Sequence, residues 1–381
     1  MNNQGMIQAH QGKLVAQYRS YMKMTQHDLA DALGVSLRTI QRMEKEAVIE
    51  DRERRRFLVA LLGIPAAYMG FAEEQRTKDE TMLLFNNDPM SFIEDTVTHR
   101  WKTHLMGGPL SAARGLERVV KEVEHFAQKV SGKQWHQRAQ AQLCMVYQLY
   151  GSVLGDMMEY DKALKIYQHA FQVARELNDV ELMAAVRVRE GIVFMRKEKP
   201  RQAISSLNAS YQLVNGQGLS RLRGDVLTLL SEAYAKANQP QECWRAIGLA
   251  ESVLQQPSPL RDRSYRIFNP AIVAAHKGVD ALLLHDYDRA IVLFDKSLKI
   301  YNPTLTPGRA RLLARKAEAY YGKDEIGECS SLALEALSLA RSVGASNTIT
   351  RVKNLHASLE QSRWRKEPDV IHLGIALATS I

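Results

Sequence analysis

Three cysteines, eleven histidines and a surplus of basic side chains are the residues on which chemistry would rest. Cys144, Cys243 and Cys329 lie far apart and form no C-x-x-C pair. That argues against a zinc ribbon or a disulfide framework and fits a reducing compartment. His99 and His104 are five apart near Trp101, a poor metal spacing on a helix. His125, His136 and His169 share no partner, and Asp286 and Asp288 fall in a turn. No phosphate-binding G-x-x-x-x-G-K-[ST] loop, no H-E-x-x-H and no G-x-S-x-G is present. The expectation is a non-enzymatic chain without cofactor or metal. Charge is what remains: 51 Lys and Arg against 42 Asp and Glu give a formal +9. Such a balance favours phosphate backbones or other anionic surfaces.

The elements that position these charges are helices. Apolar residues recur at three and four spacing, alternating β-branched runs are almost absent, and Gly and Pro fall between the periodic stretches. The sequence predicts an all-α chain, too long at 381 residues for one ordinary core. Residues 1–65 hold four short helices, 66–90 read as a linker, 91–346 as an array of long helices, and 347–381 as a capping helix and tail. In the first zone Leu14, Val15, Tyr18 and Met22 share a face. Thr25 opens the second helix with Asp28 as its reciprocal cap, Leu29, Ala30 and Leu33 turn inward, and Gly34 ends it. Ser36 caps a third helix whose Ile40 and Met43 face the core, leaving Leu37, Arg38, Thr39, Gln41, Arg42 and Lys45 outward. In the run Asp51 to Arg56 the signs alternate, as on a solvated helix face.

The segment MTQHDLADALGVSLRTIQRMEK resembles the Cro/XRE-type helix-turn-helix family, through Thr25-Gln26, Leu29-Ala30, Leu33 to Ser36, Ile40 and Met43-Glu44. The resemblance covers about 55 residues and implies that the third helix enters the major groove of double-stranded DNA. It points to Leu37, Arg38, Gln41 and Arg42 as base readers. Arg38 and Arg42 each have the two donors that match guanine, and Leu37 suits a thymine methyl. Gln26, Ser36 and Thr39 would grip phosphates. The other use of such a domain is protein contact, with its arginines paired to Glu44 or Glu46.

A second grammar recurs along the rest of the chain. Each unit has a small residue, an apolar one three later, a small one twelve after the first, a bulky one four further on and a small one three beyond that. The units are Gly151, Leu154, Ala163, Tyr167, Ala170; Gly191, Phe194, Ala203, Leu207, Ser210; Ser231, Tyr234, Cys243, Ile247, Ala250; Gly278, Ala281, Ala290, Phe294, Ser297; and Ala317, Tyr320, Cys329, Ala333, Ala336. From Ala163 onward the second small slots are spaced 40, 40, 47 and 39. A weaker unit precedes them, with helices near 91–105 and 110–130. Cys243 and Cys329 fill a slot held elsewhere by alanine, so they read as small hydrophobes. The pattern resembles the tetratricopeptide repeat, with longer periods. It implies a right-handed α-solenoid of helix pairs behind the small helix-turn-helix domain, with a helix near 347–364 capping the end.

By that family's register the concave lining includes Gln148, Arg189, Thr228, His276, Arg311 and Arg315. Their basic members suit an acidic side chain or peptide carboxylate. A Cro/XRE-type domain followed by such repeats is similar to bacterial peptide-sensing regulators of quorum systems. This implies a cytoplasmic, homodimeric transcription regulator whose array binds a short peptide or protein. Regulators of that type clamp peptide backbones with asparagine amides, whereas Asn178, Asn208, Asn215, Asn238 and Asn302 fall in second helices or loops. The other reading is a repeat adaptor for a protein partner, with the first domain as docking module. No apolar run suits a signal peptide or a membrane span.

Overall fold

The computed structural model describes residues 10–21, 24–33, 35–62, 64, 69–70, 89–256 and 263–379. Every regular element among them is helical. Contacts divide the chain into two units, Met1–Pro89 and Met90–Ile381. Most of the stretch 66–90 expected as a linker lies outside the described residues, as does Gly34.

The first unit has four helices, α1 (Gln11–Tyr21), α2 (Gln26–Leu33), α3 (Leu37–Met43) and α4 (Arg52–Leu62). Val15, Leu29, Ala30, Ile40, Met43, Leu58 and Leu62 form its core, together with Ile49, Ile64 and Met69 from the connections. Met69, placed in the linker by the sequence, is fully buried. Gly12 sits where α1 meets the backbone after α3: a Cβ there would overlap Met43 O and Glu46 O. Its N–H donates to Glu46 O (3.0 Å), and the Gln11 side chain accepts from Ile49 N–H (2.8 Å). These contacts hold the chain leaving α3 against α1.

The second unit is an α-solenoid. It opens with α5 (Pro89–Ala113) and α6 (Leu116–Lys129). α5 is broken at Gly108, whose φ of 77° and following Pro109 end the helical path. Pairs follow in order: α7 (Lys133–Asp156) with α8 (Tyr160–Glu176), α9 (Val180–Arg196) with α10 (Pro200–Val214), α11 (Ser220–Lys236) with α12 (Pro240–Val253), α13 (Pro270–Leu283) with α14 (Tyr287–Ile300), and α15 (Thr306–Gly322) with α16 (Ile326–Val343). These are the five units read from the sequence. The expected capping helix is α17 (Ser346–Glu360), and the expected tail forms a further helix, α18 (Pro368–Ala378), packed on α16 and α17.

Volume exchange at two slots closes four of the five pairs. A Cβ on Gly191 would lie 2.7 Å from Leu207 Cγ, one on Gly278 2.8 Å from the Phe294 ring, and one on Gly151 would overlap Tyr167. Where the first slot grows to Ala317, the second shrinks to Ala333. Ala163, Ala203, Cys243, Ala290 and Cys329 are all fully buried. Burial pushes the Cys329 thiol up to about 12, so this is a packing residue without thiolate character. Ser210 and Ser297 donate to Ala184 O (2.9 Å) and Ala271 O (2.8 Å), satisfying their hydroxyls inside the core.

Asp280 of α13 departs from this economy. It is fully buried, and neither carboxyl oxygen has a hydrogen bond of good geometry among the described residues. The nearby Ser231 hydroxyl donates instead to Thr228 O (2.8 Å). Burial drives the Asp280 carboxyl well above its ordinary value, more than the adjacent Ser231 and Cys243 can offset.

Two measurements follow. Gly191→Ala should destabilise the array by about 1–2 kcal/mol through overpacking against Leu207. In a Leu207→Ala background the same change should turn stabilising by about 0.5–1 kcal/mol, because alanine then contributes only its helix propensity. Urea denaturation of the four proteins reads the sign change, and the same sign in both backgrounds refutes the slot. For Asp280, a raised folded pKa gives stability that is present below the ordinary carboxyl range and lost as pH rises through the raised value. Asp280→Asn should therefore gain thermal stability relative to the parent on going from about pH 5 to about pH 9. A pH-independent difference in Tm would show that the buried carboxyl does not titrate there.

Candidate functional site

In the first unit the sequence places a charged face beside a locked turn. Thr25 N–H and hydroxyl donate to Asp28 (2.7 and 2.8 Å), and Asp28 N–H donates back to the Thr25 hydroxyl (3.1 Å). This reciprocal cap satisfies free amides at the start of α2 and holds the exposed Asp28 carboxyl below its ordinary value. Ser36 caps α3 by accepting from Thr39 N–H (3.2 Å), and the two hydroxyls lie 2.9 Å apart. Behind the turn, Glu44 accepts two bonds from the Arg19 guanidinium (2.6 and 3.2 Å) and one from the Gln26 amide (2.7 Å). Arg19 also donates to Met24 O (2.8 Å). One carboxylate thus ties α1, the entry to α2 and the end of α3 together.

With Ile40 and Met43 buried, α3 leaves Arg38, Gln41 and Arg42 exposed on one face and Leu37 and Thr39 partly so. Arg42 pairs weakly with Glu46 (3.4 Å) on the surface. Gln26, Ser36 and Thr39, expected as phosphate contacts, have polar side-chain atoms engaged within the unit. Two arginines of α4 have partners within the unit: Arg54 pairs with Asp51 (3.6 Å), and Arg55 donates to Met69 O (2.9 Å).

In the second unit the odd-numbered helices from α7 to α17 line a groove of about 650 Å³. Arg189, His276, Arg311 and Arg315 are in its wall, as the register predicts. Gln148 and Thr228 are not, and the expectation for them is corrected. Gln148 is buried and holds Arg189 through Oε1 (3.0 Å), while Thr228 is buried with its hydroxyl donated to Asp225 O (2.7 Å). Both turn inward between helices because their polar groups find partners there.

Most cations of the wall are matched. Asp156 takes Arg196 (2.6 Å) and His104 (2.9 Å). Burial alone would raise its carboxyl, but these two partners bring it well below the carboxylate range. Glu232 behaves likewise between His276 (3.3 Å) and Arg315 (3.1 Å). Glu318 takes Arg351 (2.6 Å) and Arg315 (3.7 Å). Arg311 differs: it is exposed at the wall, with no hydrogen bond or ion pair among the described residues. It is the cation of the expected set that a ligand carboxylate reaches without displacing a hydrogen-bond or ion-pair partner within the described residues.

The sequence reading missed the contribution of α17. Asn347, Arg351 and Asn354 line the groove. The signal was available: Arg351 lies 40 residues beyond Arg311, one more period of the array. Asn347 also joins the ends of the array. Its amide donates to Gly155 O (3.0 Å) and Asp156 O (3.2 Å), and its oxygen accepts from the Tyr160 hydroxyl (2.6 Å). Gly108 approaches Val343, and Leu110 approaches Gly344. The last helices therefore rest on the first. Among the described residues no group of His, Cys, Asp and Glu has a metal-binding arrangement, and no helix is long and apolar enough to cross a membrane.

No protein-family model matches the sequence, and no curated protein is a significant match. Solved structures match the chain. A Rap protein complexed with competence and sporulation factor matches with a TM-score of 0.50 at 12% identity, covering 76% of this chain and 86% of its own. PlcR of Bacillus thuringiensis, in complex with the peptide PapR7 and DNA, matches over 88% of this chain and 96% of its own, at 15% identity and a TM-score of 0.31. Aspartyl phosphate phosphatase F of Bacillus subtilis matches over 89% and 96%, at 13% identity and a TM-score of 0.43. The likeness to the Rap protein is one of fold, and it places the second unit among tetratricopeptide-like helical arrays.

Proposed function

We propose that this chain is a sequence-specific DNA-binding transcription regulator, controlled by a short peptide or protein segment held in the groove of its array. The observation that carries the reading is the face of α3. Arg38, Gln41 and Arg42 share an exposed stripe, while Ile40 and Met43 lock the opposite side into the core. Side chains so spaced on a capped helix match what base reading in a major groove requires. The resemblance of Thr25 to Glu44 to the Cro/XRE-type pattern supports the same assignment. The half-buried Arg19–Glu44–Gln26 cluster ties α3 to α1 and the start of α2 behind that stripe.

The groove supplies the controlling site. Its free cation, Arg311, suits a ligand carboxylate, and the exposed Asn354 amide can serve a peptide backbone. A Rap protein, which shares this fold, was solved with competence and sporulation factor, so an array of this kind has room for a ligand. In this reading the chain acts in the cytoplasm by binding rather than by catalysis. It does so as a homodimer that places two copies of α3 on half-sites about one helical turn apart. The adaptor reading keeps the groove and gives the first unit a protein partner in place of DNA.

A gel shift with DNA flanking the chain's own gene separates the two. Each arginine that makes a bidentate contact with guanine contributes about 1–3 kcal/mol of discrimination. Arg38→Ala with Arg42→Ala should therefore lower specific affinity by roughly 100-fold or more, while weak, salt-dependent binding persists. Equal affinity of parent and double variant for the specific site would remove α3 as the reader. Absence of any salt-dependent DNA binding in the parent would favour the adaptor.

A further inference from the structure

The spacing between the third and fourth repeat units is 47 residues where its neighbours are 40 and 39. The additional residues fall between α12 and α13, and 254–256 and the stretch from Arg263 into α13 are the described parts of that connection. The latter stretch does not lie on the outer surface. Ser264 is fully buried, and Tyr265, Arg266 and Ile267 are part of the groove wall.

The array holds this segment residue by residue. Arg263 donates its backbone N–H and Nε to Glu181 (2.7 and 2.9 Å) and Nη2 to Asp179 (2.8 Å). The Ser264 carbonyl accepts from Arg189 (2.6 Å). Tyr265 stacks on Trp101, with centroids 5.1 Å apart and planes within 9°, and its hydroxyl meets Thr98 (2.8 Å). Arg266 makes two bonds to Asp225 (2.7 and 3.0 Å), a carboxylate with no exposure. The Phe268 ring fills the space left by Gly224, where a Cβ would overlap it. Tyr265 has a φ of 52°, a left-handed conformation rarely adopted by an aromatic residue and held here by its stack and hydroxyl bond. Carboxylates for two arginines, a flat ring for a tyrosine, a guanidinium for a carbonyl and a slot for a phenylalanine are what a site built for a short peptide presents.

We propose that Arg263–Phe268 is a tethered ligand: the first half of the groove is a binding site for a short basic and aromatic peptide, filled in cis by the chain's own segment. A peptide of that chemistry arriving in trans takes the site by displacing the segment. This rests on the groove reading above and adds its occupant. Buried Asp225 makes an empty site unfavourable, because it would keep its charge while losing both bonds from Arg266, and Arg189 would lose its carbonyl acceptor and keep only Gln148 as a hydrogen-bond partner. The site therefore exchanges one occupant for another, and an anionic ligand group remains free to meet Arg311 in the second half.

The test uses the full chain and the peptide Arg-Ser-Tyr-Arg-Ile-Phe, blocked at both ends and carrying a fluorophore. Tyr265→Ala with Arg266→Ala loosens the tethered segment and leaves its receptors intact. Fluorescence anisotropy should show the peptide binding this variant at least about tenfold more tightly than the parent. A scrambled peptide should bind more weakly, and adding Asp225→Asn should remove the gain. Equal binding to parent and variant, or binding indifferent to Asp225, overturns the proposal. Helix content by circular dichroism checks that the variants fold. Should the loosened variant not fold, hydrogen exchange on the parent decides. Amides of 263–268 opening independently of α11 and α13 support a displaceable segment, and exchange only together with those helices overturns it. DNA affinity of the parent is a separate readout. Its absence removes the regulator and leaves the tethered ligand standing, whereas failed peptide exchange removes only the tethered ligand.

Discussion

The distance between two packed helices is set by the smallest residue on their shared line, and this array depends on that limit in four of its five repeat pairs. A helix can approach to the point where an aromatic or branched side chain lies flat on a partner backbone only if that backbone carries almost nothing. Gly151 under Tyr167, Gly191 under Leu207 and Gly278 under Phe294 meet the condition with large residues on the second helix. Ala317 opposite Ala333 meets it with two small ones. Because the exchange recurs at nearly constant spacing, the pairs stack in register, and their first helices turn a common face to one groove.

That constraint also explains what could be read from the residues alone. Small and bulky slots leave a direct trace, so the five pairs and the packing role of Cys243 and Cys329 were legible before any coordinates. In the first unit the apolar set of Val15, Leu29, Ile40 and Met43 was legible for the same reason. The capping pair Thr25 and Asp28 was legible because its partners lie three residues apart. Partnerships between distant residues leave no such trace. Nothing local marks Gln26 as bound to Glu44, Gln148 as the support of Arg189, or Asn347 as the residue that closes the array onto Gly155. The 47-residue spacing was visible, but only the folded chain shows that its extra residues enter the groove.

Charge in the groove follows a different rule from charge on the surface. An ion taken out of water needs a partner at short range, and loss of one partner costs far more than the pair contributes. The wall accordingly arranges its basic side chains around Asp156, Glu232 and Glu318, and each of these carboxylates holds two of them. A list of basic residues facing a groove therefore overstates what a ligand meets. Of the four basic side chains of the expected set that lie in the wall, Arg189 serves the chain's own carbonyl, and His276 and Arg315 serve Glu232. Arg311 alone among them keeps its charge for something else.

The same accounting applies to the groove as a whole. Closing the ends of the array through Asn347 fixes the groove's outline, since α17 cannot move outward without breaking its hold on the turn after α7. With the outline fixed, what fills the groove becomes the variable. The 263–268 segment bridges helices of the first half through Trp101, Asp179, Glu181 and Asp225, and it runs directly into the Asn269 cap of α13. Anything that changes how this segment sits therefore acts on the start of α13. Its Ala275, His276 and Val279 form the wall of the second half, where Arg311 waits. The two halves of the groove are thereby joined by one short piece of backbone as well as by the packing of α11 on α13.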